Sequence, residues 1–172
     1  IKIDKEIVIV ALPQLAEHLI LSWKEHWAEI NFIMEELNKF DLNLLISLHP
    51  KMDIVNYYYL ESKYNCRILD EELKIVLSYS DLFIASNSST VIWSTILGIK
   101  TIIVNYYGLD VSFFNGIKSI RYINKKEFFY QSIQELLNEE IDFNDDFNML
   151  SKNEVFDGKT IERYYLLLKG KK

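Results

Sequence analysis

The sequence predicts an α/β fold, a Rossmann-like parallel sheet of about six strands with helices on both faces. Short runs of apolar, mostly β-branched residues alternate along the chain with longer segments in which apolar residues recur at helical spacing. The first of these runs, residues 7–12, is apolar throughout, which is typical of a strand buried on both faces of a parallel sheet. The chain has 172 residues, of which 49% are hydrophobic, and this length fits a single domain with its own core.

The predicted elements follow one another in regular alternation. The predicted strands cover residues 7–12, 44–48, 66–69, 82–85, 101–104 and 119–122. The predicted helices cover residues 22–40, 54–62, 71–79, 89–97, 125–137 and 160–168. Strands and helices in this order indicate βαβ units with right-handed crossovers.

Two of the helices carry further local signals. The first begins with Ser22 and Glu25 at the spacing of a capping box. The fourth is apolar nearly all round, so we expect it to be buried, and Gly98 is a favourable residue to end it. One stripe of the first helix is expected to hold Trp23, Trp27, Ile30, Met34 and Leu37.

Composition excludes several classes of function. Against 19 Lys and Arg residues stand 25 Asp and Glu, a net charge of −6 that argues against a general binder of nucleic acid or of anionic membranes. Cys66 is the single cysteine, so we expect no internal disulfide, an inert thiol and a cytoplasmic protein. No apolar run reaches the ~20 residues of a membrane-spanning helix. A peripheral position at the inner face of the membrane stays open.

Functional residues are expected at one edge of the sheet. Parallel α/β sheets bind ligands outside the carboxyl ends of their strands, near the point where the strand order reverses. The segments that directly follow the predicted strands are residues 13–22, 49–51, 69–70, 86–90 and 105–110.

The most informative of these segments is polar, and it consists of Ser86, Asn87, Ser88, Ser89 and Thr90. Hydroxyls and unpaired backbone N–H groups at the start of a helix form an anion site. Neither Asp nor Glu occurs from position 82 to position 109. We therefore predict that this segment binds the phosphates of a nucleotide; the alternative is a well-capped helix start without a ligand. No glycine-rich phosphate loop is present, which argues against a mononucleotide kinase or a Rossmann dehydrogenase.

Two further segments at this edge carry candidate site residues. His49 and Lys51, on either side of Pro50, would add a hydrogen bond and a positive charge to the nucleotide site. The alternative there is a turn that ends the strand and leaves the histidine in solvent. Glu17 and His18 follow the first strand and are candidate catalytic residues for acid–base chemistry. Adjacent residues do not share a helix face, so incidental polar groups of a loop are the alternative.

Other chemistries find no support in the sequence. His26 is expected to be a half-buried, hydrogen-bonded residue of the first helix. Three histidines and one cysteine at scattered spacings predict no metal site. No serine lies in a G-x-S-x-G context, so hydrolase chemistry has no basis here.

Several short motifs, taken together, resemble a known superfamily. They lie at residues 48–50, 80–84, 88–90, 97–103 and 156–163, the last with the pattern D-G-K-x-x-E-R. In order and spacing they are similar to the C-terminal half of the GT-B superfamily. Within it, they resemble bacterial capsule and surface-polysaccharide glycosyltransferases, CDP-glycerol glycerophosphotransferases and UDP-N-acetylglucosamine 2-epimerases. The resemblance extends from about residue 7 to residue 168.

The resemblance implies a Rossmann-like domain that holds a nucleoside-diphosphate sugar, UDP- or CDP-linked, as donor substrate, without a further cofactor. Ser88 and Ser89 would contact the diphosphate with His49 nearby, and Glu17 and His18 would face the sugar. A glycan or lipid-linked acceptor would be met by an N-terminal half. We therefore expect this chain to be the C-terminal fragment of a larger two-domain protein and to be inactive alone.

The chain departs from the family pattern at two places. Relatives often carry an acidic residue, which can bind a ribose or sugar hydroxyl, where this chain has Trp93. The H-R-x-E-N-like segment of the epimerases is replaced by residues 13–18. We expect a nucleotide-sugar-dependent glycosyltransferase of bacterial surface-polysaccharide or capsule biosynthesis. The alternatives are a 2-epimerase-like enzyme and a non-catalytic nucleotide-binding or scaffold domain.

Overall fold

A computed structural model describes residues 4–86, 88–146 and 148. The helix predicted at residues 160–168, the motif at residues 156–163 and Asn87 lie outside them. The elements are β1 Ile7–Ala11, α1 Trp23–Leu37, β2 Asn43–Ser47, α2 Tyr59–Tyr64, β3 Cys66–Ile68, α3 Leu73–Val76, β4 Leu82–Ala85, α4 Thr90–Ile96, β5 Lys100–Val104, β6 Ile120–Ile123 and α5 Phe129–Asn138.

The six strands form one sheet in the order β3-β2-β1-β4-β5-β6, and every neighbouring pair is parallel. β1 lies inside the sheet, where Val8 pairs with Leu44 on one side and with Leu82 on the other. The fold class predicted from the sequence is thereby confirmed. Because the chain moves outward from β1 in one direction and then returns to β4, the strand order reverses between β1 and β4.

Two apolar layers hold helices against the sheet. Val8 and Val10 of β1 pack into a layer that includes residues of α1, α2 and α5. Ile9 points the other way, into a layer with residues of α4 and of the segments around α3 and residues 111–117. This is the alternation expected of a strand covered on both faces. The helices of the first layer include the longer ones, since α1 has 15 residues and α5 has 10, against 4 in α3 and 7 in α4.

Several predicted helices are shorter in the structure than in the sequence interpretation, and two of them differ most. The segment predicted as one helix over residues 54–62 is a 3-10 turn, Ile54–Asn56, followed by α2. Asp53 caps that turn by accepting a hydrogen bond from the N–H of Val55 at 3.2 Å. The segment predicted over residues 71–79 is α3 followed by a 3-10 turn, Leu77–Tyr79.

The predicted start of α1 is confirmed, and its predicted apolar stripe is partly wrong. Oγ of Ser22 accepts from the N–H of Glu25 at 3.3 Å, and the Glu25 carboxylate accepts from the N–H of Ser22 at 2.9 Å, which is a full capping box. The buried face includes Ile30, Met34 and Leu37 as predicted, but Trp23 is 54% exposed. Besides Ile33, two polar side chains, His26 and Glu29, complete that face.

The prediction that α4 is buried all round is wrong. Trp93, Ile96 and Leu97 are 42%, 37% and 47% exposed, whereas Val91, Ser94 and Thr95 are buried. The hydroxyls of Ser94 and Thr95 can be buried because each donates to the carbonyl of Val91, at 2.9 and 3.0 Å.

Cys66 lies half-buried in β3. Burial raises the pKa of its thiol to about 11, so the thiolate is scarce at neutral pH. This agrees with the expectation of an inert residue.

Candidate functional site

A cleft of about 620 Å³ lies at the carboxyl ends of the strands, on the side of the sheet that spans β3, β2, β1 and β4. It therefore includes the point between β1 and β4 where the strand order reverses, which is where this class of sheet binds ligands. Its walls come from the segments that follow β1, β2, β3, β4 and β5 and from two helices. The residues are grouped as 11–15, 18, 20, 47–50, 69–74, 86, 88, 90, 93 and 109.

The polar end of the cleft is formed by Ser86, Ser88 and Thr90. Ser88 Oγ lies 2.7 Å from Thr90 Oγ1, and it also accepts from the N–H of Thr90 at 3.3 Å. Ser86 is only 6% exposed, and its hydroxyl has no hydrogen-bond partner. A buried hydroxyl without a partner is costly in the free protein. A ligand atom that forms a hydrogen bond with it would remove that cost.

The structure brings together part of the predicted phosphate-binding segment. Ser86, Ser88 and Thr90 line the cleft, whereas Ser89 is exposed and is not among the lining residues. As the residue before α4, Ser89 makes no side-chain capping bond. The first N–H of the helix is bonded by Ser88 instead.

The turn after β2 places His49 and Pro50 in the cleft wall and Lys51 outside it. The Nδ1 atom of His49 accepts a hydrogen bond from the backbone N–H of Lys51 at 3.1 Å. A neutral imidazole that accepts at Nδ1 carries its proton at Nε2. His49 therefore presents an N–H donor at Nε2, the kind of group that bonds a phosphate oxygen.

The loop after β1 separates its two candidate catalytic residues. His18 lines the cleft, together with Pro13, Gln14 and Ile20, but Glu17 does not. A compact turn is the cause, since the N–H of His18 donates to the carbonyl of Gln14 at 3.1 Å. One Glu17 carboxylate oxygen is buried behind the loop without a hydrogen-bond partner.

Behind this loop lies a buried histidine rather than the half-buried one that was expected. His26 is 0% exposed, and its Nε2 lies 3.1 Å from the hydroxyl of Tyr57. Burial lowers the pKa of His26, and the nearby charge of Glu17 opposes that shift. Its Nδ1 atom has no hydrogen-bond partner. His26 is thus held neutral, on the side of the loop that faces away from the cleft.

Charges in the cleft are mixed. Lys74 of α3 lines the cleft, and its ammonium lies 2.5 Å from the carboxylate of Glu72. Asp70 and Glu71, which follow β3, add two further carboxylates to the same wall. Lys74 could not be identified from the sequence as a cleft residue, because it lies inside a predicted helix. In the structure, the crossover from β3 to β4 places α3 along the cleft. Phosphates are therefore best received at the other wall, which has hydroxyls and no carboxylate.

Trp93 of α4 also lines the cleft. It stands three residues after Thr90, so the two side chains lie on the same side of the helix. The sequence identified position 93 only as a departure from a family pattern.

The described part of the chain contains no group of three or more His, Cys, Asp or Glu residues placed to hold a metal ion. Among those same residues, no helix has both the length and the apolar character needed to cross a membrane.

Comparisons with known proteins support the fold. The structure is similar to the UDP-GlcNAc 2-epimerase of Methanocaldococcus jannaschii solved with UDP-GlcNAc and UDP, with a TM-score of 0.61 and 14% identity over 79% of this chain and 40% of that one. It is also similar to the spinosyn rhamnosyltransferase SpnG with spinosyn aglycone, with a TM-score of 0.58 and 16% identity over 81% of this chain and 39% of that one. The same enzyme with thymidine diphosphate gives a TM-score of 0.58.

The likeness shows a shared fold, a Rossmann-like α/β sheet in which all strands are parallel. It spans about two fifths of the length of the neighbours. No protein-family model matches the sequence, and no curated protein is significantly similar to it.

Proposed function

We propose that this chain is the nucleotide-sugar-binding half of a GT-B glycosyltransferase that acts in bacterial surface-polysaccharide or capsule biosynthesis. The observation that carries the proposal is the buried, unpartnered hydroxyl of Ser86 in a cleft at the reversal point of the sheet. The likeness in fold to a UDP-GlcNAc 2-epimerase and to a rhamnosyltransferase supports the class of ligand.

In this proposal the diphosphate lies against the hydroxyls of Ser86, Ser88 and Thr90, and His49 donates to it through Nε2–H. These fixed donors stabilise the negative charge that develops on the leaving nucleoside diphosphate, and fixed donors need no reorganisation during the reaction. Asn87 and Ser89 belong to the same polar segment of the sequence and are proposed as further phosphate contacts. Lys51 borders the turn of His49 and would add a positive charge.

His18 is the proposed catalytic residue on the sugar side, because it lines the cleft on the loop after β1. Glu17, the second catalytic candidate from the sequence, faces the opposite side of that loop and does not line the cleft. It is therefore proposed as a residue that acts through its charge on the loop's surroundings rather than by contact with the sugar. The acceptor, a glycan or a lipid-linked sugar, would be bound by a second domain.

A 2-epimerase is the second candidate, and the fold of the archaeal UDP-GlcNAc 2-epimerase is the observation in its favour. An epimerase converts a nucleotide sugar without an acceptor, whereas a transferase releases nucleoside diphosphate only when an acceptor is present. The two enzymes would therefore be distinguished by the products of the full-length protein. A scaffold without nucleotide binding would show neither reaction.

The first test is thermal unfolding of the chain with UDP, CDP, GDP and their sugars. A ligand at 100 times its Kd adds about 2.7 kcal/mol to the free energy of unfolding. We expect one nucleoside diphosphate to raise Tm and Ser86→Ala to weaken its binding about tenfold, the effect of a lost hydrogen bond to a charged group. The free energy of unfolding of the unliganded variant should stay equal or rise slightly, because an unpartnered hydroxyl is removed.

Ser80→Ala is the matched control. Ser80 is also a buried serine, but its hydroxyl donates to the carbonyl of Leu77 at 2.7 Å, away from the cleft. Its loss should cost about 1 kcal/mol of stability and leave nucleotide binding unchanged. If no nucleotide raises Tm, or if both variants bind equally well, the proposed site is wrong.

A further inference from the structure

We propose that the surface beside the mouth of the cleft docks on the phospholipid interface of a membrane, with Leu19 and Val55 inserted among the acyl chains. The occupant is the bilayer itself, and the contact is mainly apolar. The inference goes beyond the proposed function and does not depend on nucleotide binding.

Two apolar side chains project from this surface. Leu19 is 91% exposed on the loop after β1, and Val55 is 67% exposed on the 3-10 turn after β2. The backbone of Leu19 is also left-handed, with φ of 57°, which costs free energy for any residue other than glycine. Strain and exposure of an apolar side chain thus coincide at Leu19. Neither stabilises the free chain, so we expect a partner that covers this residue.

Contacts between side chains join the two segments into one surface. Nε2 of His26 lies 3.1 Å from the hydroxyl of Tyr57, and the ring centroids of Trp27 and Tyr57 lie 5.0 Å apart. The first turns of α1, which follow Leu19 in the chain, therefore pack directly against the segment that carries Val55.

An aromatic rim, formed by Trp23, Tyr58 and Tyr59, accompanies the two apolar tips, and its members are 54%, 52% and 37% exposed. Trp27 connects the rim, because its ring centroid lies 6.3 Å from that of Trp23 and 6.2 Å from that of Tyr59. Tryptophan and tyrosine have an apolar body and a polar end, and they are enriched at the level of lipid headgroups. Aliphatic tips with an aromatic rim therefore match the change in polarity across a bilayer interface.

The charges of the same two segments fit phospholipid headgroups. The exposed Lys24 and Lys51 balance the carboxylates of Glu25 and Asp53, whereas the chain as a whole carries a net charge of −6. Both carboxylates accept hydrogen bonds within their own caps, Glu25 at the start of α1 and Asp53 at the 3-10 turn. Neither lysine forms an ion pair with a carboxylate of the described residues. Their ammonium groups are therefore available to lipid phosphates.

A bilayer suits these tips better than a protein partner does. Side chains exposed to this degree protrude, and fluid acyl chains close around them without a complementary pocket. His18 and Ile20, on either side of Leu19, line the cleft, so docking would open the cleft toward the lipid surface. No helix of the described residues can cross a membrane, and the proposed contact is one in which the chain lies on the bilayer.

The experiment measures co-sedimentation of the chain with vesicles of phosphatidylcholine and phosphatidylglycerol, mixed about 3:1. We expect the wild type to bind, and its affinity to change less than about threefold between about 0.1 and 0.5 M salt, because the contact is mainly apolar. Leu19→Asn should weaken binding about tenfold, since the inserted side chain is lost. The same variant should keep or slightly raise Tm, because asparagine tolerates the left-handed conformation better than leucine.

Ile75→Asn is the matched control. Ile75 is 58% exposed on α3, whose neighbouring residues pack on the other face of the sheet from α1, so this variant should bind vesicles as the wild type does. The inference is overturned if the wild type does not bind vesicles, if Leu19→Asn binds as tightly as the wild type, or if Leu19→Asn lowers Tm.

Light scattering without vesicles tests a second copy of the chain as the occupant. We expect the wild type and Leu19→Asn to have the same mass. A dimer that Leu19→Asn converts to a monomer would assign this surface to self-association and overturn the inference. None of these results decides the proposed function, which is tested by thermal unfolding with nucleoside diphosphates.

Discussion

Glu17 and His18 are neighbours in sequence and point to opposite sides of one loop. The exposed His18 belongs to the cleft, while Glu17 lies behind the loop and acts electrostatically on His26 and Tyr57. The turn that produces this separation includes Leu19, whose backbone is left-handed with φ of 57°. A non-glycine residue in that region costs free energy. The loop is thus held in one conformation by its own hydrogen bonds and by the packing of Leu15 and Ala16, both buried.

The buried His26 predicts a pH dependence of stability. Its pKa in the folded chain is lowered below the ordinary 6.5, chiefly by burial, so the unfolded chain binds the proton more readily. The contribution of neutral His26 to the free energy of unfolding should therefore be complete above about pH 7. It should decline as the pH falls through about 6.5. Chemical denaturation between about pH 5.5 and 7.5 measures this slope.

His26→Gln should remove most of the slope, since glutamine does not titrate. His49→Gln, which replaces an exposed histidine, should leave the slope as in the wild type. Equal slopes in the two variants would contradict the assignment to His26.

Individual site residues could be predicted from the sequence only as far as their segment. The polar run at residues 86–90 was found because strand ends face the ligand edge. Which of its hydroxyls lines the cleft depends on where β4 stops and α4 starts, and on Ser88 bonding the N–H of Thr90. In the same way, His49 and Lys51 were placed together, but the turn directs only the histidine into the wall.

At the scale of elements, α4 shows how hydrogen bonds decide which face of a short helix is buried. The Thr101 hydroxyl of β5 donates to Ser94 Oγ at 2.7 Å, and Ser94 donates onward to the carbonyl of Val91. Thr101 and Ser94 are both 0% exposed. This chain of hydroxyls ties α4 to β5 through polar residues and turns Trp93 outward to the cleft.

A double-mutant cycle tests this link between helix and strand. Thr101→Val and Ser94→Ala should each lower the free energy of unfolding by about 1 kcal/mol, the net worth of a typical hydrogen bond. The double variant should lose clearly less than the sum, with a coupling energy of about 0.5 kcal/mol or more, because both changes remove the same bond. Urea denaturation of the four proteins gives the coupling, and strict additivity would rule out the bond.

Helix lengths could not be predicted as well as helix positions. The segment at residues 54–62 has good apolar periodicity, but Asp53 fixes a 3-10 turn at its start, and α2 ends at Asn65 in a left-handed conformation, φ 48°. Both features are local side-chain and backbone effects that override periodicity. The capping box of α1, in contrast, was predictable because it depends only on two residues at a fixed spacing.

At the scale of the whole molecule, the fold itself was the most predictable property. Apolar strand segments and their regular alternation with helices allow few architectures, and a parallel sheet with right-handed crossovers is the common one. The position of the cleft follows from the same rule, because it lies where the strand order reverses. The unequal helix lengths of the two layers could not be foreseen, since they depend on where α3 and α4 end.

Ligand binding should protect one edge of the molecule and leave the opposite edge unchanged. With a saturating nucleoside diphosphate, amide hydrogen exchange should slow about tenfold or more in residues 14–20, 49, 51 and 88–90. The amides of Lys118 and Ser119, which donate to the buried carboxylate of Asp146 at 2.6 and 2.8 Å, lie at the start of β6. Their exchange should not change locally. Protection confined to the amides of Lys118 and Ser119, with none at the cleft, would contradict the position of the site.

The place of β1 inside the sheet has a consequence for biosynthesis. Of the strands of this sheet, β1 is synthesised before the others. β2 can pair with it once α1 has been made, but the other edge of β1 waits for β4, where Leu82 pairs with Val8. At ~5–20 residues per second this wait lasts on the order of ten seconds. During that time the nascent chain carries an open, apolar strand edge. The unit of β1, α1 and β2 can therefore pair before β4 is available, and until then its open edge can pair with a strand of another chain.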